Sequence, residues 1–109
     1  MAEIVRTQNV SPITAKHQAL GGDDGLLGPA TGAETAITGG RQRSFSRGVI
    51  MYSRATRAKE VHGGILDKYS AMGMSGSVLG FPSTDEHDVP TGRASQFTGG
   101  TIVWSPSST

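Results

Sequence analysis

Cysteine is absent from this 109-residue chain, which excludes a disulfide framework and thiolate chemistry and leaves the redox compartment open. Charge of one sign is lacking too: ten Lys and Arg against nine Asp and Glu leave a net +1, too little to draw the chain to nucleic acid or an anionic membrane. Basic residues do gather at Arg41, Arg43 and Arg47 and at Arg54, Arg57 and Lys59, but Glu60 and Asp67 follow closely, so a solvated face is expected. No apolar run approaches the roughly 20 residues that span a bilayer, so no membrane insertion is expected. The start, Met1 to Arg6, lacks the basic and apolar regions of a signal peptide, which suggests a fragment of a longer exported protein or a cytoplasmic chain. Hydrophobic residues at 35% and aromatics at 6% supply little apolar area, and that argues against a large, enclosed active site.

Glycine is what the chain has in excess, with 16 positions that predict short strands joined by tight turns. Matches also accumulate when the chain is slid against itself by 52 residues. Ile13 falls on Ile65, Lys16 on Lys68, Leu27 on Leu79, Gly28 on Gly80, Phe45 on Phe97, Gly48 on Gly100 and Ile50 on Ile102, while Tyr52 meets Trp104. Pro29 and Thr31 align better with Pro82 and Thr84 at a shift of 53, which implies a first copy lacking the counterpart of Phe81. The expected organisation is a single domain over residues 1–109, with repeat 1 at about 1–52, repeat 2 at about 53–105 and a tail at 106–109.

Each copy reads as a short helix followed by a β-hairpin. Ser11 suits a helix N-cap and Pro12 the first helical position, with Ile13, His17 and Leu20 at helical spacing before Gly21-Gly22. In the second copy Ile65, Tyr69 and Met72 carry the spacing and Gly73 supplies a left-handed end. The hairpins are expected at Arg43 to Tyr52 and at Ala94 to Trp104, and Lys59 to Val61 reads as a third strand. The fold class is thus mainly β with short helices. Units this small bury no apolar face alone and are expected to pack on each other or on a partner.

Leu79-Gly80-Phe81-Pro82, preceded by Ile65-x-x-Lys68-Tyr69-x-x-Met72-Gly73 and followed by Phe97-x-x-Gly100-x-Ile102-x-Trp104-Ser105, resembles the LGFP repeats of actinobacterial envelope proteins. The likeness covers residues 13 to 105; the first copy departs from it where Leu27-Gly28-Pro29 lacks the Phe and His17 replaces the Tyr. The resemblance implies tandem repeats in a propeller-like ring, completed here by oligomerisation, and a non-enzymatic role in holding secreted proteins to a cell envelope.

The chemistry legible in the residues agrees with a non-catalytic role. His17, His62 and His87 are the available bases, none in a nucleophile elbow. Asp85-Glu86-His87-Asp88 offers every ligand type a divalent metal takes, but its spacing fits no zinc or calcium loop, so no metal and no cofactor are expected. Sugar binding demands less: an aromatic face for the apolar side of the ring and planar polar groups for the hydroxyls. Tyr52, Trp104, Tyr69, Asp85, Glu86, Arg93 and Gln96 are the candidates, and Phe45, Phe97, Phe81 and Leu79 are assigned to the core. The expected partners are a cell-envelope polysaccharide, arabinogalactan or peptidoglycan, held in a shallow groove between repeats, and further copies of the chain. The alternative is a structural module that assembles into an oligomeric ring. By the resemblance the chain belongs outside the cell or at its wall.

Overall fold

The structure, a computed structural model, describes residues 11–106; expectations for residues 1–10 and 107–109 lie outside it. The chain runs α1 (Pro12–Ala19), β1 (Thr35–Ile37), β2 (Gly40–Phe45), β3 (Gly48–Ser53), β4 (Arg57–His62), α2 (Gly63–Met72), β5 (His87–Val89), β6 (Gly92–Phe97) and β7 (Gly100–Trp104). It is mainly β, with two short helices and two antiparallel sheets, β1-β2-β3-β4 and β5-β6-β7. Among the described residues no helix is long and apolar enough to cross a membrane.

Local chemistry places the helices. The Ser11 hydroxyl accepts the Thr14 N–H at 3.0 Å and Pro12 opens α1, while α2 stops where Gly73 turns left-handed at φ 109°. Phe45 pairs with Gly48, and Phe97 with Gly100, so both hairpins close through two residues.

Side-chain alternation on β3 then builds a layered stack, because both faces of the first sheet are apolar. Ile50 and Phe45 face α1 with Ile13 and Leu27. Val49, Met51 and Val61 face α2 and the second sheet and join Ile65, Tyr69, Leu79, Phe97 and Ile102 in the larger core. Helix α2 therefore lies between the two sheets, and the layers alternate helix, sheet, helix, sheet.

The hydrogen bonds correct the expected slip in register. Ser46 N–H binds the Pro29 carbonyl as Thr98 N–H binds that of Phe81, and Ala30 bridges Phe45 as Pro82 bridges Phe97. The shift of 52 is unbroken: Pro29 occupies the place of Phe81, and no residue is missing. The departure of His17 from the family Tyr is compensated as well. The Tyr69 hydroxyl donates to the Gly80 carbonyl at 2.6 Å, and His17 Nε2 meets the Gly28 carbonyl at 2.7 Å, which fixes the proton on that nitrogen. Each ring also packs on its own phenylalanine, His17 on Phe45 at 4.3 Å and Tyr69 on Phe97 at 4.4 Å between centroids.

Candidate functional site

The acidic run after the second turn is mostly engaged at the joint between repeats. Asp85 Oδ1 accepts the outward N–H of Glu60 at 3.0 Å and Oδ2 takes Lys16 Nζ at 2.5 Å, so one carboxylate covers the edge of β4 and ties α1 to the second repeat. Glu60, 1% exposed, returns the contact: Oε1 accepts the Glu86 N–H at 3.0 Å and Oε2 lies 2.5 Å from His62 Nδ1. A carboxylate this buried needs such partners. His62 Nε2 faces Glu86 Oε2 at 3.4 Å, and His87 turns back on the Asp85 carbonyl. Among the described residues no group of three or more His, Asp or Glu side chains is arranged to hold a metal ion.

Beyond the joint, a polar and aromatic edge reaches the surface. Trp104 on β7 stands opposite Arg93 on β6, and its ring rests on Gly64 in the first turn of α2, where a Cβ would come within 2.5 Å of the indole. The indole remains 45% exposed. Arg93 donates through Nε to Glu86 at 3.0 Å and through Nη1 to Asp88 at 2.5 Å. These hydrogen bonds raise the already high pKa of the guanidinium, which stays cationic and fixed in plane. Trp104, Arg93, Glu86, Gly64 and Ile65 bound an open recess of about 290 Å³.

The first repeat carries the same pair in paler form. Glu34 and Arg41 stand 52 residues before Glu86 and Arg93, and they too are joined. Burial acts to raise the Glu34 carboxyl, but the Ser11 hydroxyl and Arg41 outweigh it and hold the pKa below 4.5. Both residues recur in the sequence at the repeat interval, and that recurrence was the signal of a fixed pair. The Lys16–Asp85 and Glu60–Glu86 contacts carry no such signal, because each joins two different repeat positions.

The proposed sugar-binding residues therefore divide. Trp104, Arg93 and Glu86 come together. Tyr69 is corrected to the core: it is fully buried, with its hydroxyl spent on Gly80. Asp85 has both carboxylate oxygens engaged at the joint. Tyr52 lies in the other sheet, half-buried against the first core, and Gln96 alternates onto the face of β6 away from Trp104. Phe81 is only partly buried, while Phe45, Phe97 and Leu79 are core residues as expected. Two grooves are lined by both repeats, one of about 410 Å³ with Gln42, Ser44, Arg47, Asp67 and Ser70 among its lining and one of about 710 Å³ bounded by Ala36, Ile37, Thr38, Ser75 and Gly76, and neither is lined by Tyr or Trp. Trp104, Arg93 and Glu86 lie instead across the second sheet, from β7 through β6 to the residue before β5.

The LGFP repeat pattern matches residues 27–77 and again residues 79–109. The chain belongs to the LGFP repeat family. No curated protein matches it. Each letter of the LGFP signature now has a physical role. Leu79 fills the core; Gly80 adopts φ 69°, beside a Thr98 hydroxyl that would sit 2.2 Å from any Cβ. Phe81 reaches back onto Gly39 and Gly40 of the first repeat, where a Cβ on Gly40 would lie 2.9 Å from its ring. Pro82, buried, bridges Phe97. The first LGFP copy has Pro29 where the wedge Phe81 stands.

Proposed function

We propose that the chain is a non-catalytic module that binds a cell-envelope polysaccharide and so anchors or targets material at the wall. The observation that carries this reading is the edge of Trp104, Arg93 and Glu86. An exposed indole offers a flat apolar surface to a sugar ring, and a guanidinium held in plane by two carboxylates offers directed donors to ring hydroxyls. The family resemblance supplies the envelope as the location and arabinogalactan or peptidoglycan as the polymer.

Retention of the purified chain on isolated actinobacterial cell walls tests the proposal. Trp104→Ala is expected to weaken retention about tenfold, the scale of an aromatic anchor worth on the order of 1–2 kcal/mol. Equal retention of variant and parent, or none of either at modest salt, overturns it. A second reading, a self-assembling module whose repeats close a propeller-like ring, is favoured by three apolar side chains exposed together at one end of the stack: Met72, Val103 and Trp104.

A further inference from the structure

Two hollows of the surface meet at the start of α2. The groove of about 410 Å³ between the repeats includes Gly63 in its lining, and the recess of about 290 Å³ beside Trp104 includes Gly64. The two glycines are consecutive, so their Cα atoms lie about 3.8 Å apart, and both are exposed. No side chain of theirs stands between the hollows. A Cβ on Gly63 would meet nothing within 4 Å, and the atoms nearest to one on Gly64 are those of the Trp104 indole. In the first repeat the same two positions hold Ser11 and Pro12, and the Ser11 hydroxyl donates to Glu34, the counterpart of Glu86. Of the two described helices, only α2 begins with this open saddle.

Beyond the saddle the groove follows the helix. Gly63, Leu66, Asp67, Ser70 and Met74 recur at the three- and four-residue spacing of one helix face. At about 1.5 Å of rise per residue, Gly63 and Ser70 stand about 10 Å apart along α2, longer than one sugar ring. On the other side, β2 and the turn after it contribute Gln42, Ser44 and Arg47. Here the chemistry of the Trp104 edge is repeated. The Arg47 guanidinium donates through Nε to the Leu26 carbonyl at 3.0 Å and through Nη2 to that of Gly25 at 2.6 Å. Two acceptors thus fix it in plane, as two carboxylates fix Arg93, and a guanidinium has five N–H groups to give. The exposed Asp67 carboxylate pairs with no cation among the described residues, and the Gln42 amide offers a donor and an acceptor. Half-buried Leu66 and Met74 supply the apolar part of the lining. The larger groove, of about 710 Å³, has no charged or amide side chain.

We infer that the ligand is a glycan chain several units long, bound along a path that joins the two hollows. One ring rests on Trp104 beside Arg93 and Glu86, the chain crosses Gly63 and Gly64, and the following units lie among Arg47, Gln42 and Asp67. Charge narrows the class. In the groove Arg47 and Asp67 balance, and at the edge one guanidinium, Arg93, is matched by two carboxylates, Glu86 and Asp88. A uronic acid chain would set its own carboxylates against these, so the chain is a neutral one recognised through its hydroxyls. The inference rests on the glycan reading and extends its site.

Trp104, the only tryptophan, reports on occupancy of the edge. Titration with neutral linear oligosaccharides, from monosaccharide to hexasaccharide, in one series from arabinan and one from chitin, is expected to show affinity rising at least about tenfold with length in one series. That series names the source, and a galacturonate hexamer is expected to bind more weakly than its hexasaccharide. Combining Asp67→Ala with Gln42→Ala is expected to remove the dependence on length, while Trp104→Ala weakens every length. Gly63→Asn fills the saddle with a residue that tolerates the left-handed φ of 61° there, and is expected to act as the double variant does. Circular dichroism checks the fold of each variant, and either of the two suffices to test the path. Thr38→Ala, in the larger groove, is expected to leave the series unchanged. Affinity independent of length, or a length dependence that survives both groove variants, overturns the inference; the glycan reading stands if Trp104→Ala still weakens binding. Tighter binding of the galacturonate than of either neutral hexasaccharide overturns the neutral class. Retention on cell walls without binding of any soluble chain overturns the inference alone, and no retention overturns the glycan reading with it.

Discussion

Position 69 and its counterpart 17 show how one structural role is filled by two chemistries. A tyrosine in one repeat and a histidine in the other donate to the carbonyl of the turn glycine and pack on the hairpin phenylalanine. Tyr69→Phe keeps the ring and strands that carbonyl, so a loss of about 1 kcal/mol in urea unfolding is expected; Tyr69→His is expected to cost less, since His17 already performs the task. Burial pushes the Tyr69 phenol above its ordinary value of 10.0. A proton held more tightly in the folded state gives stability that is fully present below the unfolded pKa, near pH 10.0, and is lost as pH climbs above it. The parent chain should therefore lose stability in alkali more steeply than Tyr69→Phe, and equal slopes would refute the assignment. The sequence placed Tyr69 among sugar ligands because an aromatic with a polar tip looks the same whether the tip meets solvent or a buried carbonyl. Only the partner at Gly80 decides, and it is set by the turn geometry.

Among the elements, the turn before each hairpin does more than reverse the chain. Phe81 leaves its own repeat to pack on Gly39 and Gly40, so the loop of one repeat braces the strand pair of the other. Phe81→Ala removes a partly buried ring and is expected to destabilise the fold by about 2–3 kcal/mol in urea titration, below the usual cost of a fully buried phenylalanine. A change under about 0.5 kcal/mol would mean that the wedge carries no packing energy. The helices and hairpins were legible because their signals are local: Ser11-Pro12, Gly73, and alternation around two-residue turns. Strand β4 was legible only as a short strand after the first hairpin. That it turns one edge to β3 and the other to Asp85 was not, because the second contact joins residues 25 apart with no periodic relation. The surface edge was half legible: Trp104, Arg93 and Glu86 were named, but the residues named beside them were scattered by sheet alternation and by the joint.

For the whole molecule, the main consequence is cooperativity. The larger core draws Val49, Met51 and Val61 from one sheet and Phe97 and Ile102 from the other around α2, and Glu60 of the first sheet is satisfied by His62 beside it and by the N–H of Glu86 ahead of β5. The larger core is lost if either sheet unfolds, while the smaller one, of Ile13, Leu27, Phe45 and Ile50, lies in the first repeat. A single unfolding transition is therefore expected, with fluorescence from Trp104, the only tryptophan, coinciding with the far-ultraviolet signal of the whole chain. Two separated transitions would show that the repeats are independent beads.

The span matched first by the family, 27–77, begins at a turn and ends beyond α2. It thus includes β4 and α2, the two elements that meet the following repeat. What duplication copies is a segment together with its connector. A gene that gains another such segment acquires a ready-made seam with it, and a precise in-frame loss closes over the same seam. Length can then drift over generations without the interior having to be reinvented.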